Sequence, residues 1–213
     1  DGSTLSMNIS GAEMTAALTV NGDVTIGNSG TASLVLSSAI GGDLFVKGNF
    51  SRNASSLLSA NSRRVSFNGS TAQQITGATT FDYFTLNNSA GLTLNNAIQI
   101  NNELDLSNGK MTIGNNQVSL NGSATIVNAS SSSYLITNGT GSLSRQVNNG
   151  GGAVQFPVGT SSDFANVGLT QGGTSDNLSV RVKSAPAFDY AVNDNSQMLN
   201  LQWVLNENVA GGN

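Results

Sequence analysis

From Leu18 to Ile126 a short motif keeps returning: two apolar residues separated by one residue, usually polar. It occurs at Leu18–Val20, Val24–Ile26, Leu34–Leu36, Leu44–Val46, Val65–Phe67, Phe84–Leu86, Leu92–Leu94, Ile98–Ile100, Leu104–Leu106, Met111–Ile113, Val118–Leu120 and Ala124–Ile126. Alternation over three residues describes a very short strand with one buried face, and no helical period competes with it. The starts Val24, Leu44, Val65, Phe84, Leu104 and Ala124 are spaced 20, 21, 19, 20 and 20 residues apart. A second series agrees, with Leu92 to Met111 at 19 and Ile98 to Val118 at 20. A period near 20 with about three strands in each period is the signature of a solenoid. The expected fold is all-β: a right-handed parallel β-helix of about 20 residues per rung. A left-handed hexapeptide helix would give rungs near 18 residues and fits the mixed steps less well.

Asn and Gly fill the gaps, at Asn21-Gly22, Asn68-Gly69, Asn87-Asn88, Asn95-Asn96, Asn101-Asn102, Gly114-Asn115-Asn116 and Asn121-Gly122. Both residue types tolerate a left-handed backbone, which tight corners demand. Asn-Gly also marks antiparallel hairpins. Strands of three residues are too short for a good hairpin meander, and the register persists over six rungs.

The pattern changes after Ala129. A serine run leads to Gly150-Gly151-Gly152, which reads as a hinge or turn. Longer strands are expected at 166–170, 177–183 and 199–205. Leu178, Val180 and Val182 share one face, and Trp203 is the largest core candidate. The chain therefore divides into a parallel β-helix over 1–149 and an antiparallel region over 150–213. The second region reads as the start of a β-sandwich-like domain, and the whole as a mature or trimmed segment of something longer.

Composition narrows the chemistry. Only 9% of residues are charged, against about 25% in ordinary globular chains. The net charge is -4 and the eight basic residues are scattered, so neither nucleic acid nor anionic lipid has a basic stripe to bind. Without Cys or His, thiol catalysis, disulfides, Ser-His-Asp triads and His-based metal sites are excluded within this chain. No apolar run approaches the roughly 20 residues of a membrane span.

The best carboxylate pair is Glu103 and Asp105, which flank Leu104 and should both point outward. The register puts Asp43, Arg64, Tyr83 and Glu103 in one outward column, where Arg64 beside Asp43 reads as a substrate clamp or a surface ion pair. Arg64, Glu103 and Asp105 are thus the weak catalytic candidates, since glycosidic cleavage needs two carboxylates at a set separation. The middle-residue column reads Thr25, Phe45, Ser66, Thr85, Asp105 and Thr125, and Phe45 and Asp105 interrupt any flat threonine array. No cofactor is expected, and structural calcium at the Asn/Asp corners is the one alternative. The glycine-aspartate nonapeptide of calcium β-rolls is absent, and calcium takes six or more oxygens. Tyr83, Tyr134, Phe45 and Tyr190 are candidate exposed aromatics.

Residues 65–126 carry a resemblance. Val65, Phe67, Asn68, Gly69, Gln74, Ile75 and Gly77, then Phe81, Phe84, Leu86, Asn87, Asn88, Gly91, Leu92 and Leu94, resemble a passage common in large secreted surface proteins of Bacteroidetes. "GSLSRQV" (141–147) and "FPVGT" (156–160) resemble that family's exit from its solenoid. The resemblance implies an adhesin-like cargo of the type IX secretion system, secreted or displayed on the bacterial cell surface. The implied partners are the secretion machinery during export, and surface glycans or other cells. A structural, non-catalytic, adhesin-like segment is the leading expectation. The alternatives are a polysaccharide lyase or glycoside hydrolase on the same scaffold, and a phage or viral fibre segment.

Overall fold

A computed structural model describes residues 2–184 and 201–208. Among them there are only strands and turns, stacked as a parallel β-solenoid of about six turns with about 22 residues per rung. Two long sheets run up the stack. One contains Leu18–Val20, Leu44–Val46, Arg64–Phe67, Thr79–Asn87, Ile98–Asn108, Val118–Leu120 and Leu143–Val147, with Thr125–Val127 also pairing to Ile98–Asn108. The other contains Val24–Ile26, Phe50–Arg52, Gln73–Thr76, Leu92–Leu94, Met111–Thr112, Leu135–Ile136 and Val158–Gly159. A third face, Ser3–Ser6, Ala32–Val35 and Leu57–Ser59, belongs to the first rungs.

The apolar pairs do what their spacing requires. Leu44, Val46, Val65, Phe67, Phe84, Leu86, Leu104 and Leu106 are all fully buried, one pair above the next. A buried side chain of this size contributes about 1.5–3 kcal/mol. Phe50, Phe67, Phe81 and Phe84 pack edge-on and stacked at centroid distances of 5.1–6.3 Å. This cluster fills the core where the sequence period is least regular. A register shift between Phe81 and Tyr83 lets the long strand Thr79–Asn87 turn there and keep both Phe81 and Phe84 inside.

The register departs from the 20-residue series at both ends. Leu44 stacks on Leu18, not Val24, and Val24 stacks under Phe50. The early rungs are longer because each carries the third-face strand as well. At the far end Leu104 pairs with Ile126, not Ala124. A turn closed by Ala124 N–H on Asn121 O lengthens that rung, and Ala124 stays buried. The middle-residue column is therefore Thr19, Phe45, Ser66, Thr85, Asp105 and Val127, in place of one starting at Thr25 and ending at Thr125.

The corner asparagines also work differently from the expectation. Of the corner residues named above, only Gly114 has a left-handed backbone (φ 57°). The asparagines instead bond from rung to rung. Asn88 Nδ2 donates to Thr71 O and Gln73 Oε1, Asn116 Nδ2 to Leu94 O, and Asn121 Nδ2 to Asn101 Oδ1. Asn96 Oδ1 accepts from Gly77 N–H. Gly77 has a left-handed backbone (φ 93°), and a Cβ there would sit 1.8 Å from Arg52 O, so this corner needs glycine.

Beyond the serine run, antiparallel strands join the solenoid's own sheet. Asp176–Ser184 pairs with Leu143–Val147, and Leu201–Glu207 pairs with Asp176–Ser184. Leu178, Val180 and Val182 face the core as their alternation implies. Trp203 is partly buried, and its indole N–H donates to Ala165 O. Val154–Phe156 and Val167–Leu169 form a separate antiparallel pair. Gly150, in the glycine run, sits in a turn at φ 67°. Parallel stacking reaches Val158–Gly159, which pairs with Leu135–Ile136. The expected start of the last strand at Leu199 lies outside the described residues, as does Tyr190.

Two predictions test the buried column and the loop beyond it. Leu104→Ala should cost about 2–5 kcal/mol in denaturant unfolding, because the column cannot collapse around a missing side chain. Ile40→Ser, at a position 86% exposed, should stay within about 0.5 kcal/mol of the parent. Equal effects at the two positions would refute the buried column. The loop after Val158–Gly159 yields the second. Ser162 Oγ and Thr160 Oγ1 donate to Asp163 Oδ2 at 2.6 and 2.9 Å. These bonds hold the Asp163 carboxyl below its ordinary value; slight desolvation opposes them and the Lys110 charge adds to them. The stabilisation is present above the ordinary aspartate range and is lost as pH falls through the depressed folded value. Ser162→Ala should raise the Asp163 midpoint in a carbon-detected NMR titration. An unmoved midpoint would rule the bond out as its cause.

Candidate functional site

Arg64, Tyr83 and Glu103 stand in register on three successive rungs, each placed outward by its inward neighbour Val65, Phe84 or Leu104. Asp105 lies two residues along from Glu103 on the same face, opposite Thr85. The structure brings all three catalytic candidates together. Arg64 Nη2 meets Glu103 Oε1 at 2.6 Å, and Arg64 Nη1 lies 3.8 Å from Asp105 Oδ2. Nη1 also donates to Thr85 Oγ1 at 2.7 Å, and that hydroxyl donates to Asp105 Oδ2 at 3.2 Å. The guanidinium lies 5.4 Å from the centroid of the Tyr83 ring.

Asp43 has a different role from the one its place in the column suggests. Its Oδ1 accepts the backbone N–H of Arg64 at 2.9 Å, while the Arg64 guanidinium turns the other way, to Glu103 and Asp105. Both ion pairs among the described residues therefore belong to Arg64, and neither involves Asp43. Asp43, Ser62, Arg63, Arg64 and Tyr83 line a shallow open depression beside this ladder.

Two residues complete the network that sequence reasoning missed. Ser107 Oγ and Asn128 Nδ2 donate to Asp105 Oδ1 at 2.7 and 2.8 Å. Ser107 follows from alternation, since it is the next outward position after Asp105. Asn128 does not, because it lies a full rung away in a left-handed turn (φ 60°) that no local pattern marks. Among the expected exposed aromatics, Tyr134 is fully buried. Its hydroxyl donates to Thr160 O at 2.8 Å, and Lys110 Nζ sits 4.8 Å from its ring centroid. Phe45 and Tyr83 are half-buried.

Chemically, the ladder closes on itself. Glu103 and Asp105 share one cation and lie along one strand. Among the described residues no three of His, Cys, Asp or Glu gather as a metal-holding group. No helix of the structure is long and apolar enough to cross a membrane.

Comparison with protein-family models, with curated proteins and with solved structures returns no match.

The ladder's strength is testable. A double-mutant cycle on Arg64→Gln and Glu103→Gln should give a coupling of about 0.2–1 kcal/mol, the range for partly exposed pairs. It should shrink as salt is raised. A coupling of zero at low salt would mean that the pair contributes nothing to the fold.

Proposed function

We propose that this chain is a non-catalytic, adhesin-like structural segment of an exported bacterial cell-surface protein. One observation carries the reading. The best carboxylate pair of the chain, Glu103 and Asp105, is engaged within the protein, both by Arg64 and Asp105 also by Thr85. The remaining outward polar groups supply further support, since many are rung-to-rung asparagine, threonine and serine bonds. Such a surface holds length and register with little reliance on screened ion pairs, which suits an exterior of variable salt. The resemblance of residues 65–126 to secreted Bacteroidetes surface proteins supports export, with type IX secretion as the route.

The opposing reading is a polysaccharide-cleaving enzyme that uses the depression at Arg64 and Tyr83. The two part cleanly in one experiment. The protein is incubated with algal, plant and host polysaccharides in the presence of calcium, and both retention and new chain ends are followed. The expected result is no new chain ends with any polysaccharide. New ends that vanish in Glu103→Ala or Arg64→Ala, with the fold intact, would overturn the non-catalytic reading.

A further inference from the structure

A second arginine stands in a different situation from Arg64. Arg145 lies on Leu143–Val147, the last parallel strand of its own sheet, next to the antiparallel strand Asp176–Ser184. Its Nη1 donates to Gln155 O at 2.9 Å and its Nη2 to Ala124 O at 3.2 Å. Both acceptors are neutral carbonyls. Among the described residues no carboxylate lies within ion-pair distance of it. Its Nε is buried and has no hydrogen-bond partner. Burial pushes its guanidinium below the ordinary value. A half-buried cation without a counter-charge is costly, and the cost falls when an anion arrives.

The space beside it has the right form to receive one. Arg145 lines a cleft between the last rungs and the Val154–Phe156/Val167–Leu169 pair. Ile126 and Phe164 give that cleft apolar walls, and Asn128, Gln155 and Asn166 give it amides. Asn166 Nδ2 donates to Gln155 Oε1 at 2.6 Å, which fixes two of the amides against each other at the rim. The Phe164 ring is 36% exposed and is braced from behind by Tyr134, with centroids 5.2 Å apart. Fixed amides match hydroxyl groups, a braced ring offers a flat apolar surface, and an arginine fork matches a carboxylate.

We propose that this cleft binds a uronic acid residue of an acidic polysaccharide, with the sugar carboxylate on Arg145, a ring face on Phe164 and hydroxyls on Asn128 and Asn166. A peptide carboxyl terminus would also use Arg145 and the amides, and the exposed Phe164 ring beside them is the feature that favours the flat apolar face of a sugar ring. Asn128 ties the cleft to the neighbouring ladder through Asp105. The proposal rests on the adhesin-like reading and names the chemistry it would grip.

The test uses the whole chain and calorimetric titration with galacturonate, mannuronate and glucuronate trisaccharides. Each is run beside its methyl ester and beside a short peptide with a free carboxyl terminus. The expected result is saturable binding of at least one uronate. Esterification or Arg145→Gln should weaken it tenfold or more, and added salt should weaken it progressively. Asn166→Ala, an exposed position, should weaken it severalfold with unchanged thermal unfolding, which covers the case in which Arg145→Gln does not fold. Binding that survives esterification, binding of the peptide alone, or no uronate binding at all would overturn the proposal. Those failures leave the non-catalytic reading standing, which only new chain ends would sink.

Discussion

A three-residue strand cannot hold itself in water. Its two inward side chains bury little, and its backbone groups find no partner within the segment. Both deficits vanish when an identical strand lies above and below. Leu44, Val65, Phe84 and Leu104 each hydrogen-bond through their strands to the next rung and pack on the next side chain in the same column. Every other feature depends on this vertical register. The corners exist to return the chain to it, and the outward residues inherit their stacking from it.

Register makes the outward face a set of columns, and columns explain the composition. Like charges stacked on successive strands would repel one another. Neutral amides and hydroxyls stack without penalty and bond vertically, as Asn101 and Asn121 do, or Thr25 and Ser51. At Arg64 the charge that enters a column comes with its opposite. Arg64 lies in register with Tyr83 and Glu103, and Asp105 follows two residues on. The low charged fraction is thus a consequence of the architecture.

The end of the stack sets a separate problem, because a last rung leaves an edge open. The strand Leu143–Val147 meets it by accepting an antiparallel neighbour, Asp176–Ser184, which in turn accepts Leu201–Glu207. The separate antiparallel pair Val154–Phe156 and Val167–Leu169 leaves a cleft beside Arg145 that a uniform solenoid would not contain. The two arginines differ for this reason. Arg64 sits in mid-column with carboxylates in register beside it, whereas Arg145 sits at the junction, where the columns stop.

By itself the sequence determined the parallel stack, because its information is local: two apolar residues, one spacer, a corner, repeated near 20 residues. It determined the inward residues, the middle register from Leu44 to Leu104, and the outward column of Arg64, Tyr83 and Glu103. Tertiary structure decided what depends on rung length and on distant partners. Rungs that carry a third face run longer, so Leu44 lies over Leu18 and not Val24. The corner asparagines bond to neighbouring rungs, a role that composition cannot separate from backbone strain. The Arg64 guanidinium pairs with Glu103 and Asp105, while Asp43 holds the Arg64 backbone N–H instead. Tyr134 disappeared into the end of the stack. Among the described residues Arg145 came to bond only the neutral carbonyls of Gln155 and Ala124, through a path of the chain that no local pattern in "GSLSRQV" encodes.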